Sequence, residues 1–161
     1  MNPMVEAEIA LVLKRDLPTE NVTAKQVLEA TDYAAPCLEL VDTRFETPRI
    51  RIVDTIADNA SSALFVLGEG RVDPRKVDLA AITCVVTRNG EKQSEGVGAA
   101  VMGSPLHSTA WLANRLGAAG VSLNAGDIVL AGSLVPLAKI AAGDAFEATF
   151  AGLGSVSARF A

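Results

Sequence analysis

The sequence predicts a β-dominated α+β fold, on three observations. Short segments that alternate or run apolar recur along the 161 residues between Gly, Pro and Asp turns. Asn89-Gly90 supplies the pair of positive-φ residues that a two-residue type I′ hairpin demands. Helix-start signals are few, clearest at Thr23 and Ser104, so strands do not alternate with helices as βαβ units would require. No internal repeat, low-complexity tract or Pro/Ser-rich linker divides the chain, and residues 1–161 read as a single domain.

Val5 to Leu13 alternates as a strand. Val5, Ala7, Ile9, Leu11 and Leu13 fall on one face, and Glu6, Glu8, Ala10 and Val12 on the other. Both faces are mostly apolar, so the strand is expected to be buried on both sides with two acids let into it. Thr23 followed by Gln26 is a capping box opening a short helix to about Ala30. Pro36 to Val41 reads as a second strand, with Cys37, Glu39 and Val41 on one face. Asp42 reads equally as a further acid that, with Asp54 and Asp58, approaches a site or as an ion pair with Arg44 at the strand's end. Gly68-Glu69-Gly70 lacks the third glycine and following helix of a dinucleotide loop, and reads as a turn. Ile82 to Arg88 is β-rich and returns through Glu91 to Gly96 after the hairpin. Ser104 as N-cap and Pro105 at the first helical position start a helix to Gly117 or Gly120, in which Trp111, Leu112 and Leu116 match a core stripe. Asp127 to Ala131, Ala145 to Phe150 and Ser155 to Phe160 complete the strands.

Half the residues are hydrophobic, 20% are charged, and the mean hydropathy is +0.31, which suits a packed core and excludes a solvated, disordered chain. The formal charge of −5 comes with no basic cluster, so nucleic acid is not an expected partner. The longest aliphatic run, Ile9 to Leu13, is far short of the roughly 20 residues that span a bilayer, and no membrane segment is expected. Glu6 and Glu8 stand where a signal peptide needs positive and then apolar residues. Cys37 and Cys84 lie far apart with no CxxC, which reads as two buried thiols in a reducing cytoplasm.

Residues two apart on a strand point the same way, with α-carbons about 6.5–7 Å apart, so Glu6 and Glu8 project together from an apolar element. Held there, two carboxylates repel and are costly to desolvate. Glu39 is a third acid flanked by apolar residues on a strand. Three such carboxylates suit a hard divalent cation, Mg²⁺ or Mn²⁺ over zinc, since no His/Cys cluster is present. The alternative is a solvated strand face on which Glu6 and Glu8 pair with Lys14 or Arg15. His107, the only histidine, falls on the first turn of a helix and reads as a partly exposed residue without a constellation. No Gly-x-Ser-x-Gly elbow is present.

Val5-Glu6-Ala7-Glu8-Ile9-Ala10, Leu38-Glu39-Leu40-Val41-Asp42-Thr43-Arg44 and Asp54-Thr55-Ile56-Ala57-Asp58-Asn59-Ala60-Ser61-Ser62 resemble the 2-keto-4-pentenoate hydratase and 4-oxalocrotonate decarboxylase branch of the fumarylacetoacetate hydrolase superfamily. Gly126-Asp127-Ile128-Val129-Leu130-Ala131-Gly132-Ser133-Leu134, Ala142-Gly143-Asp144 and Gly152-Leu153-Gly154-Ser155-Val156 continue the resemblance in the same order. It implies a mixed β-sandwich or roll of the fumarylacetoacetate hydrolase C-terminal type with a few short helices. It also implies Glu6, Glu8 and Glu39 as ligands of Mg²⁺ or Mn²⁺, and Asn59, Ser61 and Ser133 as binders of substrate oxygens. For Asn59 and Ser61 the residues alone allow another reading, caps of a short helix running through Leu64 to Leu67; Ser133 could equally serve loop backbone.

The activity implied is hydration of 2-hydroxypenta-2,4-dienoate to 4-hydroxy-2-oxopentanoate in aromatic catabolism. Pro105-Leu106, Ala110-Trp111-Leu112-Ala113 and Gly126-Asp127-Ile128-Val129-Leu130 resemble the hydratase versions more closely than the decarboxylase ones. The alternatives are 4-oxalocrotonate decarboxylation, or a metal-binding assembly domain without catalysis. The family carries a segment before the paired-glutamate strand that contributes a lysine and an aspartate for proton handling. Here the motif begins at Val5, so the proton-transfer groups are expected outside this chain, supplied by a partner chain or lost with truncation. Gly103-Ser104-Pro105 stands where the family has Gly-His-Pro. The resemblance further implies a homo-oligomer.

Overall fold

The computed structural model describes residues 2–46 and 49–161. Its first strand, β1 (Met4–Leu13), lies inside a five-stranded sheet between β2 (Thr31–Val41) and β6 (Ile128–Ser133); β3 (Ser62–Leu67) forms one edge beside β2, and β7 (Ala138–Lys139) pairs with the start of β1. A second, four-stranded sheet has the order β5-β4-β8-β9, made of β4 (Thr83–Arg88), β5 (Glu91–Val97), β8 (Ala145–Phe150) and β9 (Gly154–Arg159). Every named strand pair is antiparallel.

The alternation of β1 decides how the sheets meet. Val5, Ala7, Ile9, Leu11 and Leu13 turn into one core cluster with Cys84, Val86, Phe146, Ala148 and Phe150 of the second sheet. A one-residue slip would put the carboxylates into that core, so the pairing register is strongly specified. Both cysteines are buried and unpaired.

The helix-start signals hold at atomic level. In α1 (Ala24–Ala30) the Gln26 N–H donates to Thr23 Oγ1 at 3.3 Å while Gln26 Oε1 accepts the Thr23 N–H at 2.9 Å. In the helix that follows the second sheet's first hairpin, Pro105–Gly117, Ser104 Oγ accepts the Leu106 N–H at 3.3 Å. The hairpin after β4 carries Asn89 and Gly90 at φ 54° and 87°.

Four sequence expectations are corrected. β2 begins at Thr31, directly from α1, and runs through Pro36. The Pro36 carbonyl accepts the Gly68 N–H at 2.8 Å on the β3 side, so the donor that proline lacks is missing at the end of β3 and not from the ladder to β1. Leu64 to Leu67 is strand and not helix: the run is apolar without periodicity, and pairing with β2 decides it. A short helix, α2 (Ile52–Ala57), forms where the sequence shows no start signal, because no Ser, Thr, Asp or Asn precedes it; instead Asp54 accepts the Arg51 N–H at 2.9 Å. The helix Pro105–Gly117, α3, leaves Trp111 53% exposed, whereas Leu112 of the expected stripe packs against the core beside the buried Ala110 and Ala113.

Candidate metal centre

Register brings the three acids together. Glu6 stands opposite Glu39 across the β1–β2 ladder, and Glu8 is opposite Cys37 on one side and Ser133 of β6 on the other. One carboxylate oxygen from each of Glu6, Glu8 and Glu39 lies within 4.8 Å of the other two. Among the described residues no other set of three His, Cys, Asp or Glu side chains converges in this way. Glu8 is 3% exposed and the other two are half-buried.

The surroundings disfavour ionisation in the absence of a counter-charge. Burial, first, raises Glu8 to about 8; the Gly132 N–H, donating to Glu8 Oε2 at 2.7 Å, pulls the other way, and the Glu39 and Glu6 charges push further up. Burial also raises Glu6. The Ser133 hydroxyl opposes that rise and Glu39 reinforces it. Beside them the buried Cys37 is pushed up to about 12 by burial and then by the charges of Glu8 and Glu39. Among the described residues no cation contributes to the shifts of Glu6 or Glu8. The alternative pairing of these acids with Arg15 fails on geometry, because Arg15 pairs with Glu29 at 3.2 Å.

This arrangement fits a hard divalent ion. Such ions take several oxygen ligands at about 2.0–2.6 Å and keep water, and the separation of the three oxygens lies within the span of one ion. Three half- to fully buried carboxylates without a cation are costly; a doubly charged ion reverses the sign of that cost.

The sequence pattern does not single out Gly132. It sits where the β1–β6 register shifts, at φ 118°, a conformation that side chains rarely adopt, and this turns its N–H onto Glu8. The available signal is a glycine inside an apolar strand.

The residues expected to bind substrate oxygens are spread out. Ser133 Oγ donates to the Val135 carbonyl at 2.7 Å while standing beside Glu6. Asn59 is exposed, and Asn59, Ala60 and Ser61 all have φ between 54° and 58°. A left-handed alanine costs about 1–2 kcal/mol, so this turn needs support. Asp58 provides it: its carboxylate, 4% exposed, accepts the Ser61 hydroxyl at 2.8 Å and the Arg44 N–H at 3.2 Å. Burial raises the Asp58 acid, but the Ser61, Arg44 and Thr43 donors and the Arg44 charge outweigh that and hold it low. The Arg44 guanidinium pairs with Asp58 and not, as the sequence suggests, with Asp42, because the turn after α2 brings a buried carboxylate closer than its chain neighbour. Ser61 also lines an open cavity of about 930 Å³ that begins at Met4 and Val41, next to the carboxylates and not around them. His107 stands on the exposed first turn of α3, outside this constellation.

Comparisons with known proteins agree with this architecture. The chain is 46% identical over 160 residues to a 2-hydroxyhexa-2,4-dienoate hydratase of Comamonas testosteroni, covering 99% of this chain and 61% of that enzyme. It is 49% identical over 160 residues to a 2-keto-4-pentenoate hydratase of Burkholderia vietnamiensis, again covering 99% and 61%. The chain therefore spans about three-fifths of the length of these relatives. Among solved structures, 4-oxalocrotonate decarboxylase from Pseudomonas putida G7, complexed with magnesium and adipate, superposes with a TM-score of 0.96 at 38% identity, over 100% of this chain and 61% of that one. Fumarylpyruvate hydrolase from Pseudomonas aeruginosa, complexed with Mn²⁺ and pyruvate, shares the fold at a TM-score of 0.76 and 15% identity, over 99% of this chain and 66% of that one. The profile of the fumarylacetoacetate (FAA) hydrolase C-terminal family matches residues 2–161, end to end over the two sheets and the carboxylate cluster, and the chain belongs to that family.

Proposed function

We propose that this chain is the metal-binding catalytic domain of a lyase that hydrates 2-hydroxypenta-2,4-dienoate to 4-hydroxy-2-oxopentanoate. The observation that carries the reading is the convergence of Glu6, Glu8 and Glu39 within 4.8 Å, in a chain nearly half identical to hydratases of such dienoates. Glu6, Glu8 and Glu39 would hold Mg²⁺ or Mn²⁺. Bound there, the ion supplies Lewis-acid stabilisation of negative charge on the substrate's 2-oxygen and a template for its 1-carboxylate.

The chain's own groups have defined tasks in this scheme. The Gly132 N–H fixes the rotamer of Glu8, an outer contact of the kind that orients metal ligands. Cys37 stands directly across the β1–β2 ladder from Glu8. Ser133 stands next to Glu6 and Ser61 lines the cavity, where they would meet substrate oxygens; Asn59, two residues before Ser61 on the same turn, is exposed and would do so from outside that lining. Net hydration takes the proton off the 2-hydroxyl as it becomes the 2-oxo group and places a hydroxyl on C4 and protons on C3 and C5, a gain of one water in all; the groups that move those protons are assigned outside residues 1–161.

Decarboxylation of 4-oxalocrotonate is the second reading, favoured by the TM-score of 0.96 to that enzyme. We further place the protein in the cytoplasm, in keeping with two buried, unpaired cysteines, and as a homo-oligomer, in keeping with the exposed Ile52 and Ile56 of α2 and the exposed Leu64 and Phe65 of the edge strand β3. No helix among the described residues is long and apolar enough to cross a membrane.

Isothermal titration with Mg²⁺ and Mn²⁺, followed by turnover assays on 2-hydroxypenta-2,4-dienoate and 4-oxalocrotonate in parallel, tests the reading. Metal binding that is lost in Glu6→Ala and Glu39→Ala is expected. Undiminished binding in both variants removes the site. Weak or absent turnover by this chain alone is expected, with dienoate hydration exceeding decarboxylation once the remaining family segment is supplied.

A further inference from the structure

The polar side of the cavity next to the carboxylates has a fixed hydrogen-bond direction, and one buried acid fixes it. The Asp58 carboxylate, held low by its donors, accepts the Ser61 hydroxyl at 2.8 Å, the Arg44 N–H at 3.2 Å and the Thr43 hydroxyl, and pairs with the Arg44 guanidinium at 3.7 Å. An ionised carboxylate only accepts, and a hydroxyl has one hydrogen to give. Ser61 and Thr43 have therefore both given theirs. Both residues line the cavity, half-buried, and what their oxygens can offer a ligand there is lone pairs. Ser61 Oγ keeps two, and Thr43 Oγ1 has one left after accepting the Phe45 N–H at 3.2 Å.

The rest of the polar lining does not reverse that direction. Asp42 and Glu46 are carboxylates and accept. The Arg44 guanidinium is engaged by the Ser62 carbonyl at 2.6 Å, the Asp58 carbonyl at 3.2 Å and the Asp58 carboxylate. Asn2 is exposed at the rim, where its backbone N–H donates to Asp42 Oδ1 at 2.9 Å. A group bound against Ser61 and Thr43 must bring its own hydrogen. Such a group lies close to the carboxylate cluster: Val41, which also lines the cavity, is two residues beyond Glu39 on β2, about 7 Å on, and the Asp42 N–H that follows it donates to the Ser61 carbonyl at 2.9 Å.

We propose that Asp58 is a positioning residue for the oxygen that adds to C4: by holding the hydrogens of Ser61 and Thr43 it leaves two acceptors that grip this oxygen through its own hydrogens, as water before addition and through the 4-hydroxyl after it. The inference deepens the hydratase reading and rests on it, with the 1-carboxylate and 2-oxygen on a divalent ion at Glu6, Glu8 and Glu39. It gives the left-handed turn a task. Three successive non-glycine residues at φ 54° to 58° are strained, and the contact that this strain secures is Ser61 Oγ on Asp58. It also restricts which oxygen Ser61 meets. A carbonyl or carboxylate oxygen would set lone pair against lone pair, whereas a hydroxyl or water completes the bond.

The test is calorimetric titration of the Mg²⁺-loaded chain with 4-hydroxy-2-oxopentanoate and with 2-oxopentanoate, which differ only in the C4 hydroxyl. The hydroxylated acid is expected to bind about threefold to tenfold more tightly, the net worth of one hydrogen bond. Thr43→Val keeps the shape and removes the oxygen, and is expected to shrink that ratio, while Thr43→Ser keeps it. Asp58→Asn is expected to bring the ratio to within about twofold of unity, because an amide donates from one side and so returns a hydrogen to one of the two hydroxyls. In every variant the affinity for 2-oxopentanoate is expected to stay within about twofold, a split between the two acids that a general loosening of the turn would not produce. Circular dichroism verifies folding, and the two Thr43 variants decide the matter if Asp58→Asn does not fold. Equal affinities for the two acids in the unsubstituted chain, or an unchanged ratio in a folded Thr43→Val or Asp58→Asn, overturns the proposal while the metal site stands. Failure of Mg²⁺-dependent 2-oxopentanoate binding in the unsubstituted chain overturns the metal reading and this inference together.

Discussion

Glu8→Gln is expected to have opposite effects on stability with and without a divalent ion. In EDTA, folded Glu8 takes its proton off at about 8, whereas in the unfolded chain it does so near the ordinary value of 4.5. Between those values the folded state holds a proton that the unfolded state has released, so stability must fall as pH rises through the window and level off outside it. Each pH unit in the window costs about 1.4 kcal/mol, and the whole interval at most on the order of 5 kcal/mol. The substituted amide carries no charge at any pH and keeps an oxygen for the Gly132 N–H. The Glu8→Gln variant should therefore lose the Glu8 share of this slope, keeping only what the burial-raised Glu6 contributes, and be more stable than the unsubstituted chain at pH 8. With millimolar Mg²⁺ the order inverts. The ion binds the ionised folded site and stabilises it by RT ln(1 + [Mg²⁺]/Kd), while the variant has lost one of three anionic ligands. Urea denaturation followed by circular dichroism from pH 5 to 8.5, in EDTA and in Mg²⁺, measures all four cases. Two results would refute the account of the cluster as an uncompensated anionic site: a flat pH profile for the unsubstituted protein in EDTA, or a variant less stable than the unsubstituted protein at pH 8 without metal.

Gly132→Ala should destabilise the fold by about 1–3 kcal/mol and weaken Mg²⁺ binding, because its φ of 118° is unfavourable for alanine and the added Cβ would lie 3.0 Å from Val101 Cγ1; urea melts and calorimetry read the two effects. Cys37 and Cys84, both held near 12 chiefly by burial, should resist a thiol reagent at pH 8 in the native protein and react only as it unfolds, which timed thiol labelling in and out of urea measures. Ile56→Lys on the exposed face of α2 should lower the oligomeric mass seen by light scattering with little change in melting temperature; an unchanged mass would place the interface elsewhere.

The sequence is most legible where local chemistry and tertiary need coincide. The period-2 pattern of Val5 to Leu13 places one face of β1 in the core and leaves Glu6 and Glu8 on the other, which is what the sheets require. Thr23 with Gln26, and Ser104 with Pro105, mark helix starts because they satisfy backbone donors within the same turn. The mostly apolar Ser62 to Leu67 carries no period, and α2 lacks a capping side chain at its start, so neither declares itself locally.

The sequence by itself determined the residue types at the site: two acids two apart on an apolar strand, a third among apolar neighbours, and no histidine or thiolate alternative. Only the tertiary structure decided that Glu39 faces Glu6, that Gly132 aims its N–H at Glu8, and that Arg44 is held by Asp58. The reason is physical. Side-chain direction follows from the backbone period, which a short segment contains in full, whereas register between strands, and the pairing of charges between loops, depend on which distant backbone groups hydrogen-bond to one another.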